Sequence, residues 1–242
     1  MIFKFKSKPI YLDFFTNNYQ TKQLFDISGG NSYKPDWWKK VESRIDHSGI
    51  DRRNIKRCAG FLDYFRMSYV VPLPYEVHIS INSGRYNLYT PEKGDVTDIV
   101  SSAHPPAQRG DYAPEQSYSH VKLPIHWVAD CNKDISSIIT PPCWTDSLHL
   151  DTVNTLSAVR NFYYSHSTQW HFILNKKHNT SFTLNAGIPC YHFTPLTDKK
   201  VVVRSHYDPD KTDEILNRKA FNWSFSKSYH KYISAYKRSI KK

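Results

Sequence analysis

Residues 58–81 read CAGFLDYFRMSYVVPLPYEVHISI, and this stretch decides what kind of fold the chain adopts. In its first half, apolar residues recur at three- and four-residue steps, as on the buried face of a helix: Cys58, Phe61, Leu62, Phe65 and Met67. Pro72 and Pro74 exclude a continuing helix, because each restricts the backbone and lacks a donor N–H. Beyond them, Val77, Ile79 and Ile81 alternate with polar residues, which is the period of a strand. We predict a buried helix, a stiff crossing and a core strand.

Composition indicates an ordered, basic protein. The 242 residues include 17 Tyr, 13 Phe and 6 Trp but only 8 Gly, which favours an aromatic-packed core over low-complexity disorder. The formal net charge is +11. Such a charge is typical both of proteins with an anionic partner and of proteins with an ordinary basic surface.

The cysteines give no sign of a metal or redox motif. The chain has four, Cys58, Cys131, Cys143 and Cys190, and no C-x-x-C pair, which excludes a zinc ribbon and a thioredoxin motif. The first residues alternate apolar and basic types without a signal-peptide core, and no stretch approaches the roughly 18 apolar residues of a membrane helix. We therefore expect a protein that is neither secreted nor membrane-bound, with reduced cysteines in its core.

Short apolar runs separated by Asn, Asp, Lys and Pro indicate a series of strands from residue 125 onward. The turn sequence at 82–85 predicts a hairpin, whereas residues 91–124 predict a long irregular segment. We predict an α+β, mainly β fold, with an antiparallel β-sandwich or jelly-roll-like body over residues 1–207 and helices near 35–43 and 54–68. Residues 208–242 are expected to form a basic, aromatic helical extension of one compact domain.

The predicted extension carries an aromatic stripe on a basic background. Residues 218–242 contain eight Lys or Arg, among them Lys237 and Arg238, and no Asp or Glu. The aromatic residues recur at helical steps: Phe221, Phe225, Tyr229, Tyr232 and Tyr236. Such a helix docks its stripe on the sheet, contacts a neighbouring subunit or binds nucleic acid, and the sequence leaves these alternatives open.

Four segments of the chain together carry a resemblance to one known protein family. They are KPDWWKK at 34–40, KRCAGFLDYFRMSYVVPLPYEVHI at 56–79, KLPIHWV at 122–128 followed by SSIITPPCW, and AGIPCYHFTPL at 186–196. Together they resemble an uncharacterised family of proteins carried by tailed phages, notably T4-like phages of cyanobacteria, with bacterial relatives. The resemblance implies a phage or phage-like origin and carries no assigned activity.

One pattern is typical of a catalytic iron centre. His149 and Asp151 in an H-x-D sequence would share one face of a strand, and His192 on a later strand would complete a two-His-one-carboxylate set for Fe(II). Arg204 would pair with the carboxylate of a co-substrate. This arrangement is similar to that of 2-oxoglutarate oxygenases, which also use a jelly roll. Because the chain has 12 His, polar residues on a half-exposed sheet are the simpler interpretation.

We therefore expect a protein that works by protein–protein contact and without a cofactor, as a structural or assembly component of a virion. It would reside in the particle or the host cytoplasm, in a homo- or hetero-oligomer with other virion or phage proteins. Aromatic residues enriched at interfaces would carry the contact: Trp37, Trp38, Trp144 and the stripe from Phe221 to Tyr236. For the Trp37–Trp38 pair, burial in the core is the alternative and the commoner fate of such large side chains. The alternatives are an Fe(II)/2-oxoglutarate-dependent oxygenase and a nucleic-acid-binding accessory protein using residues 218–242. No Walker loop, G-x-S-x-G or dinucleotide fingerprint occurs.

Overall fold

A computed structural model describes residues 8–42, 44–47, 50–53, 55–96, 117–142, 151–162 and 167–220. Within these ranges the protein is mainly β, with several antiparallel sheets and four helices, which confirms the predicted fold class. The strands are β1 (Ile10–Thr16), β2 (Ser28–Gly29), β3 (Arg44–His47), β4 (Ile50–Arg53), β5 (Tyr69–Pro72), β6 (Val77–Asn82), β7 (Arg85–Thr90), β8 (Gly94–Asp95), β9 (Tyr118–Cys131), β10 (Ser136–Thr140), β11 (Val153–Thr155), β12 (Ala158–Asn161), β13 (Ser167–Asn175), β14 (Thr180–Leu184), β15 (Pro189–Pro195) and β16 (Val201–Tyr207). The helices are α1 (Tyr19–Leu24), α2 (Asp36–Lys40), α3 (Ala59–Met67) and α4 (Pro209–Ala220), with 3₁₀ turns at Gly30–Tyr33 and Ile55–Arg57.

The first sheet has the strand order β11–β13–β9–β1–β16. Its neighbours run antiparallel except β1 and β16, which pair in parallel with Ile10 opposite Val201. A parallel pair requires a long connection, and nearly the whole chain separates these two strands. Burial alternates along β1, so that Leu12 and Phe14 face the core while Asp13 faces outward.

The second sheet, with the order β12–β10–β15–β5–β2, packs on the first and completes the sandwich. Phe14 of the first sheet lies 5.7 Å from Phe193 of the second, measured between ring centroids, and 5.4 Å from Phe162. The Tyr69 hydroxyl of β5 also donates a hydrogen bond to the Val201 carbonyl of β16 at 3.2 Å. The core is therefore an aromatic layer between two sheets, as the composition predicted.

A third sheet, β14–β6–β7–β8, contains the strand predicted after the prolines. Val77, Ile79 and Ile81 are buried along β6, which confirms the period of two. The β6–β7 hairpin turns through Ser83 and Gly84, with φ of 50° and 75°. Positive φ at both central residues is typical of the type I′ hairpin turn, so the predicted hairpin is confirmed.

The helix α3 is not buried along the predicted face. Only Phe65 is buried in it, whereas Leu62 and Met67 are exposed and Cys58 precedes the helix at the surface. The reason is that α3 lies on the outer face of the second sheet, where one row of side chains suffices for packing. The predicted crossing is a strand in part: Pro72 ends β5, and Leu73 accepts and donates backbone hydrogen bonds with Gly187 and Ile188 at 2.8 Å.

The structure also bears on the irregular segment predicted over 91–124, on the helix predicted after residue 208 and on the cysteines. The strand β9 begins at Tyr118, so the irregular segment predicted over 91–124 ends earlier than expected; residues 97–116 lie outside the described ranges. The predicted helix after residue 208 is confirmed as α4, and the Lys211 N–H donates to the Asp208 side chain at 2.9 Å as an N-terminal cap. Cys131 and Cys190 are buried as expected, whereas Cys58 is exposed.

Candidate functional site

The two tryptophans predicted at a contact surface occupy different positions. Trp38 is an internal residue, packed edge-on against Phe65 at 5.3 Å and Phe61 at 6.2 Å, so its assignment to a contact surface needs correction. Trp37 is half-buried and lies edge-on to Trp38 at 5.7 Å. Trp38 therefore joins α2 to α3, because burying its indole removes a large apolar area from water.

Most residues of the predicted contact surface lie outside the described ranges. They are Trp144, Phe221, Phe225, Tyr229, Tyr232, Tyr236, Lys237 and Arg238. Their roles stay predictions. The described part of the extension is α4, which packs on β1 and β9 through Ile215 and Thr212.

His192, a predicted metal ligand, lies on the outer face of the second sheet beneath α3. Its ring stacks on Tyr64 with 5.2 Å between centroids, and its Nδ1 lies 3.3 Å from the Ser68 hydroxyl. Its Nε2 has no hydrogen-bond partner among the described residues. Burial lowers the pKa of His192 to about 4, so the imidazole is neutral at neutral pH.

Arg204, the predicted co-substrate residue, is engaged by a carboxylate of its own chain. Its guanidinium donates two hydrogen bonds to Asp13, at 2.6 and 2.7 Å, and His206 lies 2.9 Å from the same carboxylate. Burial alone would raise the pKa of Asp13, but the hydrogen bonds from Arg204 and His206 outweigh it and lower that pKa. This cluster lies on the outer face of the first sheet.

The described members of the predicted iron set do not converge. His192 faces outward from the second sheet and Arg204 faces outward from the first, with the aromatic core between them. Asp151 is exposed in the turn that precedes β11, and His149 lies outside the described ranges. Within those ranges, no three His, Cys, Asp or Glu side chains are grouped as metal ligands.

An uncovered apolar pair lies on the outer face of the second sheet. The helix α3 covers this face over β15, where Tyr64 contacts His192 and reaches Thr140 at 3.3 Å. Beyond this cover, Ile138 of β10 and Val159 of β12 stand directly opposite each other. Ile138 is 39% exposed and Val159 is 68% exposed. Among the described strands, β12 is the last of its sheet.

A cavity of about 440 Å³ opens where the chain crosses from β11 of the first sheet to β12 of the second. The polar side chains around it include Arg160, Gln169, His171 and Tyr191. The lining residues are Ile139, Thr155, Leu156, Ser157, Ala158, Val159, Arg160, Gln169, Trp170, His171 and Tyr191. The described lining therefore combines apolar walls with basic groups and contains no Asp or Glu.

Two cationic side chains, Lys122 and Arg160, lie near each other beside the cavity. Burial and the nearby Arg160 guanidinium both lower the pKa of Lys122, which lies opposite His171 across the β9–β13 ladder. His171 Nδ1 is 3.2 Å from His120 Nε2. Burial raises the pKa of Tyr191 to about 12 although Arg160 opposes the rise, so this hydroxyl keeps its proton.

Sequence reasoning missed this cavity. Arg160 is a single arginine in the short run Leu156–Asn161 that follows β11, and Tyr191 lies in an apolar run that reads as core. Arg160 and Tyr191 are too far apart in the sequence to form a recognisable motif. The only local signal is an arginine in a short strand pattern, which also fits an exposed edge.

Comparison of the chain with protein-family models, with curated proteins and with solved structures finds no match. Of the helices in the described ranges, none has the length and apolar character that spanning a bilayer requires.

Proposed function

We propose that the protein works by binding other protein chains, as a structural or assembly component of a phage-type virion. The observation that carries the proposal is the uncovered apolar pair, Ile138 and Val159. The resemblance of the four sequence segments to tailed-phage proteins supports the particle context.

Ile138 and Val159 differ from isolated exposed apolar residues in what surrounds them. Isolated exposed apolar residues are ordinary on protein surfaces, but Ile138 and Val159 are direct cross-strand neighbours beside a helix that already covers part of the same face. Fully burying an aliphatic side chain contributes about 1.5–3 kcal/mol. A partner that extends the cover of α3 over β10 and β12 gains this free energy and shields the edge of the sheet.

Sedimentation velocity of the full chain over a range of concentrations tests the contact. We expect self-association that Val159→Lys weakens by about tenfold or more, because the change places a charge in an apolar contact. Leu24→Lys is the matched control, since Leu24 on α1 is 69% exposed without a cross-strand apolar partner. Equal association constants for both variants would contradict a role for the pair.

A second experiment tests whether the protein is a component of the virion. Mass spectrometry of purified particles from the source phage should detect the chain at a fixed stoichiometry, with Val159→Lys lowering its incorporation and Leu24→Lys leaving it unchanged. Absence of the chain from the particles would contradict the virion role.

The two alternatives have less support. An oxygenase site would need Arg204 near His192, and these lie on opposite outer faces of the sandwich. Nucleic-acid binding through residues 218–242 stays a prediction, since the described side chains end before that segment.

A further inference from the structure

The strand β16 has an open outer edge, because it is the last strand of the first sheet among the described residues. It has seven residues, whereas the next longest strand at the end of a described sheet, β14, has five. Three consecutive valines begin it, Val201–Val203, and β-branched residues favour the extended backbone of a strand. A long edge strand of this kind is a template for pairing with another chain.

The backbone groups that face this edge follow from the pairing of β16 with β1. The Ile10 N–H donates to the Lys200 carbonyl at 2.9 Å, and Ile10 lies opposite Val201 in the parallel register. Because the backbone groups of successive residues point to opposite sides of a strand, the even-numbered residues of β16 bond to β1. The N–H and C=O groups of Val203 and Ser205 therefore point away from β1, towards the open edge.

Other parts of the chain contact the two ends of this edge. At one end the Val201 carbonyl accepts the hydrogen bond from Tyr69, and at the other end Tyr19 of α1 lies edge-on to Tyr207 at 5.4 Å. Between these contacts, no backbone hydrogen bond from another described segment reaches Val203. Val201 and Val203 pack against the core but are only half-buried, so a further strand beside them would cover apolar surface.

The charge beside the edge favours an acidic occupant. The turn before β16 carries the exposed Lys199 and Lys200 against a single carboxylate, Asp198. Neither lysine forms an ion pair within the described part of the chain. The carboxylates that contact β16 itself already have cationic partners: Asp13 with Arg204, and Asp26 with Lys22. Acidic residues of a partner therefore complement the lysines without competing for an existing ion pair.

The same cations disfavour a second copy of this chain as the occupant. Two β16 strands can pair antiparallel with their core-facing sides aligned. When most of the strand is paired, each such register places Arg204 opposite or diagonal to Lys200 or Arg204 of the other copy. Like charges at these positions destabilise a sheet. A different chain with acidic residues at these positions avoids the repulsion.

We propose that β16 binds an extended acidic segment of another protein chain, which adds antiparallel to residues 201–205 as a further strand of the first sheet. Apolar residues of the segment would cover Val201 and Val203, and its acidic residues would lie beside Lys200. In strand addition of this kind, backbone hydrogen bonds supply the affinity and alternate side chains supply the specificity.

Fluorescence anisotropy of short labelled peptides with the full chain tests the proposal. The probe is EVEVEVE, and the matched peptides are KVKVKVK and an EVEVEVE with N-methylated valines, which keeps the charge but lacks the valine N–H donors. We expect EVEVEVE to bind with a Kd of about 100 µM or below, and both matched peptides to bind at least about tenfold more weakly. Absence of saturable EVEVEVE binding, or equal affinity of the N-methylated peptide, overturns the proposal.

Variants locate the binding on β16. Val203→Pro removes an N–H that points to the open edge and keeps the bonds to β1, so EVEVEVE should bind at least about tenfold more weakly. Lys200→Glu should weaken binding several-fold, whereas Lys40→Glu, at an exposed position on α2, should leave it unchanged. Unchanged affinity in both Val203→Pro and Lys200→Glu overturns the assignment to β16.

Amide hydrogen exchange of the wild-type chain measures the new bonds directly and does not depend on the folding of a variant. Saturation with EVEVEVE should slow the exchange of the Val203 N–H, which gains an acceptor. The Val202 N–H already bonds to β1, so its exchange should change little. An unchanged exchange rate at Val203 would contradict strand addition.

The inference rests on the proposed function, because it names a kind of protein partner, but the two can fail separately. Val159→Lys tests the contact at the second sheet and should leave EVEVEVE binding unchanged. Loss of EVEVEVE binding with self-association retained would overturn the inference alone. If EVEVEVE instead dissociates the self-associated chain, a second copy occupies the edge, and the assignment to a different protein is overturned.

Discussion

Acidification is expected to destabilise the protein through His192. The imidazole is 1% exposed under α3, and burial lowers its pKa from 6.5 to about 4. Between these two pH values the unfolded chain binds a proton at this residue and the folded chain does not. The free energy of unfolding therefore falls as the pH falls from 6.5 towards 4, and the full contribution is present above pH 6.5.

The magnitude follows from the interval between the two pKa values. Because one pKa unit corresponds to about 1.4 kcal/mol, the complete loss is about 3 kcal/mol, of which about 2 kcal/mol is already lost at pH 5. A loss of this size is substantial beside the ~5–15 kcal/mol that separates folded from unfolded domains.

Urea unfolding followed by tryptophan fluorescence measures the effect at about pH 7.5 and about pH 5. His192→Phe keeps a ring that stacks on Tyr64 but removes the proton site, so we expect it to lose about 2 kcal/mol less than the wild type between the two pH values. His178→Phe, at an exposed position in the turn after β13, is the control and should follow the wild type. The contribution of His126, whose pKa burial also lowers, cancels in the comparison. Equal losses for His192→Phe and the wild type would refute the reasoning.

Two further substitutions test the packing and the ion cluster. Gly30→Ala should lower the free energy of unfolding by about 2 kcal/mol or more, because its Cβ would lie 2.8 Å from the Phe65 carbonyl oxygen. Gly29→Ala is the control: a Cβ there would have nothing within 4 Å, so the free energy of unfolding should change by well under about 1 kcal/mol. Asp13→Asn should lower the melting temperature at neutral pH by breaking the paired hydrogen bonds with Arg204. The pKa of Asp13 is lowered in the folded state, so its contribution is present above 3.8 and is lost as the pH falls further; melting curves of Asp13→Asn and wild type should converge in acid.

The strands were predictable wherever one face is buried and the other is exposed to solvent. Val77, Ile79 and Ile81 showed the period of two because β6 packs one face on the core. The same logic misjudged α3, since the exposed Leu62 and Met67 fit a helical period as well as Phe65 does. A periodic pattern shows which face of a helix is apolar, but how much of that face is buried depends on what packs against it.

The site residues were less predictable, because polar side chains carry no period of their own. The predicted iron centre joined His192 and Arg204 to the H-x-D pair of His149 and Asp151, whereas the structure puts His192 and Arg204 on opposite outer faces. Conversely, Arg160 and Tyr191 share a cavity without sharing a motif.

The sequence by itself determined the mainly β class, the hairpin at 82–85 and the capped helix after Asp208. Each of these depends on local backbone preferences and on the spacing of apolar residues, which are properties of neighbouring positions. Only the tertiary structure decided that Trp38 lies inside, that Ile138 and Val159 stay uncovered, and that a cavity opens between the sheets. These features depend on which distant strands become neighbours, and that pairing is decided by the packing of the whole core.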